Sequence, residues 1–164
     1  MLHRRRLPIR IDDSKRLTAR QRARAFDVIA AHADIGFGLV SADEIDRRNI
    51  LQATLTAMAQ AVCRLPRVPD LVLVDGPVVP PLGMPCRPIV HGDQRRYVIA
   101  CASIMAKVFR DRLMSRYHCL VPGYDFDRHK GYGTSRHAQR LRALGVSALH
   151  RKSFKPVRDA LAAQ

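Results

Sequence analysis

A chain of 164 residues is about one domain, and a hydrophobic content of 47% excludes intrinsic disorder and leaves room for a real core. Lys and Arg number 29 against 14 Asp and Glu, a net charge of +15 that favours polyanionic partners and puts nucleic acid first among them. No run is long enough to span a membrane, no apolar stretch follows the basic opening from Met1 to Arg6, and Cys63, Cys86, Cys101 and Cys119 form no C-x-x-C pair; a membrane role, a signal peptide and a disulfide framework are excluded, and a reduced, cytoplasmic setting is expected.

Thr18 is placed to cap a helix running to about His32, and Ile35 to Val40, with Gly36 and Gly38 inside it, reads as a strand. Ser41-Ala42-Asp43-Glu44 matches a capping box, so Asp43, Glu44 and Asp46 read as helix-start acids rather than metal ligands. From Asn49 onward, Ile50, Leu51, Thr54, Leu55, Met58, Ala61, Val62 and Leu65 recur at three and four residues, the pattern of a helix packing one face on a sheet. Leu71 to Val74 is a short unbroken apolar run after the turn signal Pro69-Asp70, as in a parallel strand buried on both faces. Strand, helix and strand from Ile35 to Val74 make an α/β crossover.

Asp75 then stands at the carboxyl end of that strand, the edge at which open α/β sheets place their chemistry. A turn at Asp75-Gly76 accounts equally well for the acid taken alone. Eighteen residues on, after a Pro-rich loop and a short extended piece from Pro88 to Val90, Asp93 follows His91-Gly92, and two acids so placed suggest a metal site. The longest helix is predicted from about Tyr97 to Tyr117, burying Ile99, Ala102, Met105, Ala106, Phe109 and Leu113, with Ser103, Lys107 and Arg110 together on another side. A loop rich in Gly, Tyr and His, Val121 to Gly133, leads to a helix capped by Thr134 and stopped by Gly145; the final residues read as a frayed tail.

Taken together, Asp13-Ser14-Lys15-Arg16-Leu17, Asn49 to Thr54, Val74-Asp75-Gly76, Gly92-Asp93, Ala102 to Arg112, His129-Lys130-Gly131-Tyr132-Gly133-Thr134 and His150 to Phe154 resemble bacterial ribonuclease HII in order and spacing. The resemblance covers Asp12 to about Val157. It implies a ribonuclease H-like α/β fold, a mixed sheet flanked by helices with a C-terminal helical substrate-binding region, as one domain over residues 12–157 with a basic leader at 1–11 and a tail at 158–164. The implied activity is metal-dependent endonucleolytic cleavage of RNA in RNA–DNA hybrids and at ribonucleotides embedded in DNA, by a monomer using Mn²⁺ or Mg²⁺.

In that family four carboxylates surround two ions, which sit about 3.5–4 Å apart and clamp the attacking water and the leaving oxygen. Asp75 and Asp93 take the third and fourth positions. The first two belong to an Asp-Glu-Ala-Gly-Arg-Gly segment on the family's first strand, and nothing between Met1 and Asp13 resembles it, so the chain is expected to be N-terminally incomplete and to cleave poorly. A catalytically inactive hybrid-binding fragment and a nonfunctional remnant are the alternatives. Tyr132 aligns with the family tyrosine that packs on the sugar at the RNA–DNA junction, and Lys107, Arg110 and Lys130 are expected to contact phosphates, with an exposed solvated face the equal alternative for Arg110. His129 and His150, without partners at metal-ligand spacing, read as structural or phosphate-contacting groups; His91 stands where the family has lysine, and Asp125 and Asp127 add negative charge close to the substrate loop.

Overall fold

The computed structural model describes residues 1–3 and 6–162; Arg4 and Arg5 of the basic opening and the last two residues of the expected tail lie outside them. In chain order the elements are α1 (Ala19–Ala31), α2 (Ala42–Arg48), α3 (Ile50–Cys63), β1 (Val72–Asp75), β2 (Cys86–Ile89), α4 (Gly92–Arg95), α5 (Tyr97–Leu120), α6 (Phe126–His129), α7 (Ser135–Leu144) and α8 (Lys155–Ala162). They form two compact units, one of Met1–Leu39 with Thr54–Val108 and one of Val40–Ala53 with Phe109–Gln164.

In the first unit, Thr18 and Gln21 cap α1 reciprocally. The Thr18 hydroxyl accepts the Gln21 N–H at 3.2 Å, and the Gln21 side chain accepts the Thr18 N–H at 2.8 Å. Ala25 and Ile29 of α1 are buried in one cluster with Cys101, Ile104, Met105 and Val108 of α5. The stripe on α5 differs from the predicted one: Ala102 and Ala106 are exposed, because the larger Ile104 and Val108 take the inward positions and bury more apolar area. The opening residues join this core. Leu7 is buried and donates its N–H to the Tyr97 hydroxyl at 3.0 Å, while Leu2, Ile9 and Ile11 pack alongside. Residues expected as a leader thus supply core side chains, and the alternation Leu7, Ile9, Ile11 is the pattern of an extended chain with one apolar face.

β1 and β2 pair in parallel, Val72 opposite Cys86 and Asp75 opposite Ile89. Only Val74 of β1 is buried, and Leu71 before it is exposed, so the expected burial on both faces is not reached; among the described residues the sheet has just these two strands. The strand expected at Ile35 to Val40 does not form: the segment pairs with no other strand among the described residues. It lies on α3 instead. A Cβ at Gly36 or Gly38 would fall on the backbone carbonyl of Ala61 or Ala57, so both glycines are there for close backbone approach. Its polar groups turn to side chains of that neighbourhood: the Leu39 N–H donates to Gln60 Oε1 at 3.1 Å, and the Phe37 carbonyl accepts from Arg64 at 2.7 Å. Ile50 and Leu51 of α3 are exposed, whereas Ala53 and Leu55 are buried.

The second unit departs from expectation in three places. Ser41 caps α2 by accepting the Glu44 N–H at 3.2 Å, but the Glu44 carboxylate turns to Arg47 and Arg48 rather than back to the cap, leaving half a capping box. Asp46 accepts the N–H groups of Lys152 and Ser153 at 2.7 and 2.8 Å and so ties down the segment before α8. α8 begins inside the expected domain and runs on through residues 158–162, read from the sequence as tail; its Val157 and Ala160 are buried with Leu141, Tyr124 and Phe126. α7 runs as predicted, capped by Thr134 on the His137 N–H and ended by Gly145 at φ 75°.

Candidate metal centre and nucleic-acid loop

Parallel pairing puts the carboxyl ends of β1 and β2 on one edge. Asp75, exposed at the end of β1, lies beside Ile89, and the chain leaving β2 turns through His91, at φ 54°, into Gly92 and the half-buried Asp93 at the start of α4. The Gly92 N–H donates to Asp75 Oδ1 at 2.8 Å. A Cβ on Gly92 would stand 3.3 Å from that oxygen and 2.6 Å from Ile99 Cδ1, so glycine is what lets the backbone come close enough to orient the carboxylate. Asp75 and the residue before Asp93 are therefore joined directly.

Oxygen donors of this kind suit a hard divalent cation such as Mg²⁺ or Mn²⁺. Among the described residues, Asp75 and Asp93 do not form a group of three with another His, Cys, Asp or Glu. Asp13, which sequence reading set aside, lies close by in the same unit. It is buried and closes the expected turn by accepting the Lys15 N–H at 2.9 Å, and its other oxygen lies 3.5 Å from the amide of Gln94, the neighbour of Asp93. Asp12 is spent on Arg10 at 2.6 Å.

Within the second unit, Arg110, Lys130 and Tyr132 come together. The Arg110 guanidinium donates to the Lys130 carbonyl at 3.0 Å and sits 4.9 Å from the centre of the Tyr132 ring, which is 53% exposed and so available to a ligand on a loop bent by Gly131 at φ 79°. The Lys130 ammonium donates to Ser115 Oγ at 2.8 Å and to the Asp111 carbonyl at 3.2 Å, tying the loop to α5. Lys107 is half-buried on α5 within the first unit. Ser103 meets Ser14, hydroxyl to hydroxyl, at 3.1 Å.

The charge that Asp125 was expected to add is cancelled. Arg136 and Arg140 both donate to its Oδ2, at 2.7 and 2.8 Å, and these two guanidiniums hold its carboxyl well below the usual carboxylate range. Asp127 lies 3.2 Å from His118, and these two with Asp125 are the one group of three potential metal-ligating side chains among the described residues. His129 and His150, read as structural, are buried, and a third imidazole that sequence reading passed over, His137, lies between them: its ring stacks on His129 at 4.2 Å and meets His150 nitrogen to nitrogen at 3.2 Å. Its place as the third residue after the Thr134 cap was the available signal.

A family profile described as ribonuclease HII matches residues 6–157. Ribonuclease HII of Chlamydia pneumoniae is 47% identical over 151 residues, covering 91% of this chain and 70% of that protein. The Chlamydia muridarum protein of the same name is 46% identical over 153 residues, 92% of this chain and 70% of its own length. Among solved structures, the crystal structure of the ribonuclease H2 from Pyrococcus horikoshii OT3 superposes with a TM-score of 0.76 over 93% of this chain and 81% of that one; at 22% identity it speaks to the fold alone. The family profile, the fold and these relatives agree, and the chain belongs to the ribonuclease HII family, endoribonucleases of the ribonuclease H type.

Proposed function

We propose that this protein is a divalent-metal-dependent endonuclease acting on the RNA strand of RNA–DNA hybrids and at ribonucleotides embedded in DNA, as a cytoplasmic monomer whose residues 12–157 work as one ribonuclease H-like domain. The observation that carries the reading is the Gly92 N–H held on Asp75 at 2.8 Å, immediately before Asp93. Asp75 and Asp93 would hold Mn²⁺ or Mg²⁺, which when bound polarises the scissile phosphate and lowers the pKa of a coordinated water. The chain's own part is positional. Gly92 fixes one oxygen of Asp75 and leaves the other for the ion, Tyr132 offers a ring to the sugar face, and Arg110, Lys107 and Lys130 supply positive charge to phosphates.

A second reading, a binder of hybrids that cuts them slowly or not at all, is favoured by the absence, among the described residues, of a third metal-ligating side chain grouped with Asp75 and Asp93. One experiment separates the readings: a duplex carrying a single ribonucleotide is offered with Mn²⁺, and binding and nicking are followed together in the parent and in Asp75→Asn. The expected outcome is preferential binding of the ribonucleotide duplex, slow nicking by the parent and none by the variant. Binding without nicking leaves the second reading; nicking by Asp75→Asn at the parental rate removes Asp75 from the metal site.

A further inference from the structure

Two of the three buried imidazoles of the second unit, His129 and His137, are tied to the backbone on either side of Tyr132, His150 backs His137, and their hydrogen bonds fix a single set of tautomers. The Ser147 N–H donates to His150 Nδ1 at 3.1 Å, so that nitrogen is bare and the proton of neutral His150 is on Nε2. His150 Nε2 lies 3.2 Å from His137 Nε2, which must then accept, leaving the His137 proton on Nδ1. That N–H donates to the Tyr132 carbonyl at 3.0 Å. On the other side, the Gly131 N–H donates to His129 Nδ1 at 3.1 Å, which puts the His129 proton on Nε2, where it meets the Tyr124 carbonyl at 2.6 Å. Each imidazole nitrogen named here therefore has a partner of the required sense, and Tyr124 and Phe126 close over the rings, 4.8 and 5.2 Å from His150.

We propose that His129, His137 and His150 are positioning residues for nucleic-acid recognition: a chain of imidazoles in fixed tautomers that holds the Gly131 N–H and the Tyr132 carbonyl, so that the exposed ring meets the ribose of an RNA–DNA hybrid already oriented. This rests on the reading of Tyr132 as the ribose contact. The economy is entropic. A loop ordered before binding does not lose that freedom on binding, and affinity gains accordingly. The bare ring has two soft torsions of its own; the flanking peptides, held by buried side chains, remove the rest.

Two measurements test it on the intact chain. Long-range ¹H–¹⁵N spectra of the histidine rings at pH 7.5 need no variant and should show His137 protonated at Nδ1 and His129 and His150 at Nε2; the opposite tautomer at His137 overturns the proposal whatever the ligand. Binding of duplexes with and without one embedded ribonucleotide, followed by fluorescence anisotropy, then compares the parent, His137→Phe, His137→Asn and Tyr132→Ala. His137→Phe keeps a ring of similar size and removes the donor to the Tyr132 carbonyl; it should cut the preference for the ribonucleotide duplex by roughly five- to tenfold, the worth of one such hydrogen bond. His137→Asn restores a donor at the position of Nδ1 and should recover most of that preference, and His137→Phe should add nothing further when Tyr132 is already Ala. A parent with no preference defeats the ribose reading of Tyr132 and this proposal together. A parent preference lost in Tyr132→Ala but intact in His137→Phe defeats this proposal alone.

Discussion

His150 shows how far a single residue reaches beyond its contacts. Burial pushes its imidazole down to about 4, with the nearby His137 acting in the same direction, and burial lowers His137 too. Both groups are depressed relative to the unfolded chain, so between about pH 6.5 and pH 4 the unfolded state binds more protons and stability falls as the pH drops through that window. The paired aspartates act in the same sense at lower pH: Asp125, Asp12 and Asp34 are held low by their hydrogen bonds to Arg136 and Arg140, to Arg10, and to His3 and Arg67, and their contribution is lost as the pH falls through and below the ordinary carboxylate range. Lowering the pH from 7 to 5 should therefore cost about 1–2 kcal/mol, allowing for partial solvent screening, and lower Tm by several degrees. Thermal melts by circular dichroism across that range check it. A His150→Gln variant, whatever its absolute stability, should show a flatter slope, and an unchanged slope would assign the pH dependence to other groups.

At the scale of the element, the most informative stretch is Ile35 to Val40, which is strand-like in composition and yet takes its place on α3 rather than in a sheet. Gly38 meets the Ala57 backbone so closely that any Cβ must move the two segments apart, at the cost of the packing that Leu39 and Phe37 anchor to Gln60 and Arg64. Gly38→Ala should thus destabilise the first unit by about 2 kcal/mol or more, well beyond a change in backbone entropy; a urea melt with an unchanged midpoint would mean that the segment lifts off α3 without loss. The same stretch shows why part of the fold was legible and part was not. Caps at Thr18, Ser41 and Thr134, the Gly145 stop and the strand ending at Asp75 depend on local chemistry, and each stands where the residues put it. Which face of α5 goes inward, and which partner an extended segment finds, depend on residues far away in sequence. The acids and Tyr132 were visible because their neighbours form recognisable strings, whereas His137 and Asp13 acquire their importance from partners 13 and 81 residues away.

For the whole molecule, the governing quantity is charge. The net +15 divides almost evenly between the two units, so neither half alone is the electrostatic footprint, and any polyanion of sufficient length will be attracted without regard to sequence. That part of the affinity comes from counterions released by each neutralised phosphate; with about four phosphate contacts it should fall roughly 100-fold between 50 and 200 mM salt. Recognition of the ribose has a different origin. A ring against a sugar face involves no ion release, so the ratio of affinities for a ribonucleotide-containing duplex and its all-DNA counterpart should stay nearly constant while both decline together. Anisotropy titrations of the two duplexes at four salt concentrations give both quantities in one series: parallel lines of steep negative slope, separated by a fixed gap that closes in Tyr132→Ala. Lines that converge as salt rises would make the discrimination electrostatic, and would move it from Tyr132 to the basic side chains around it.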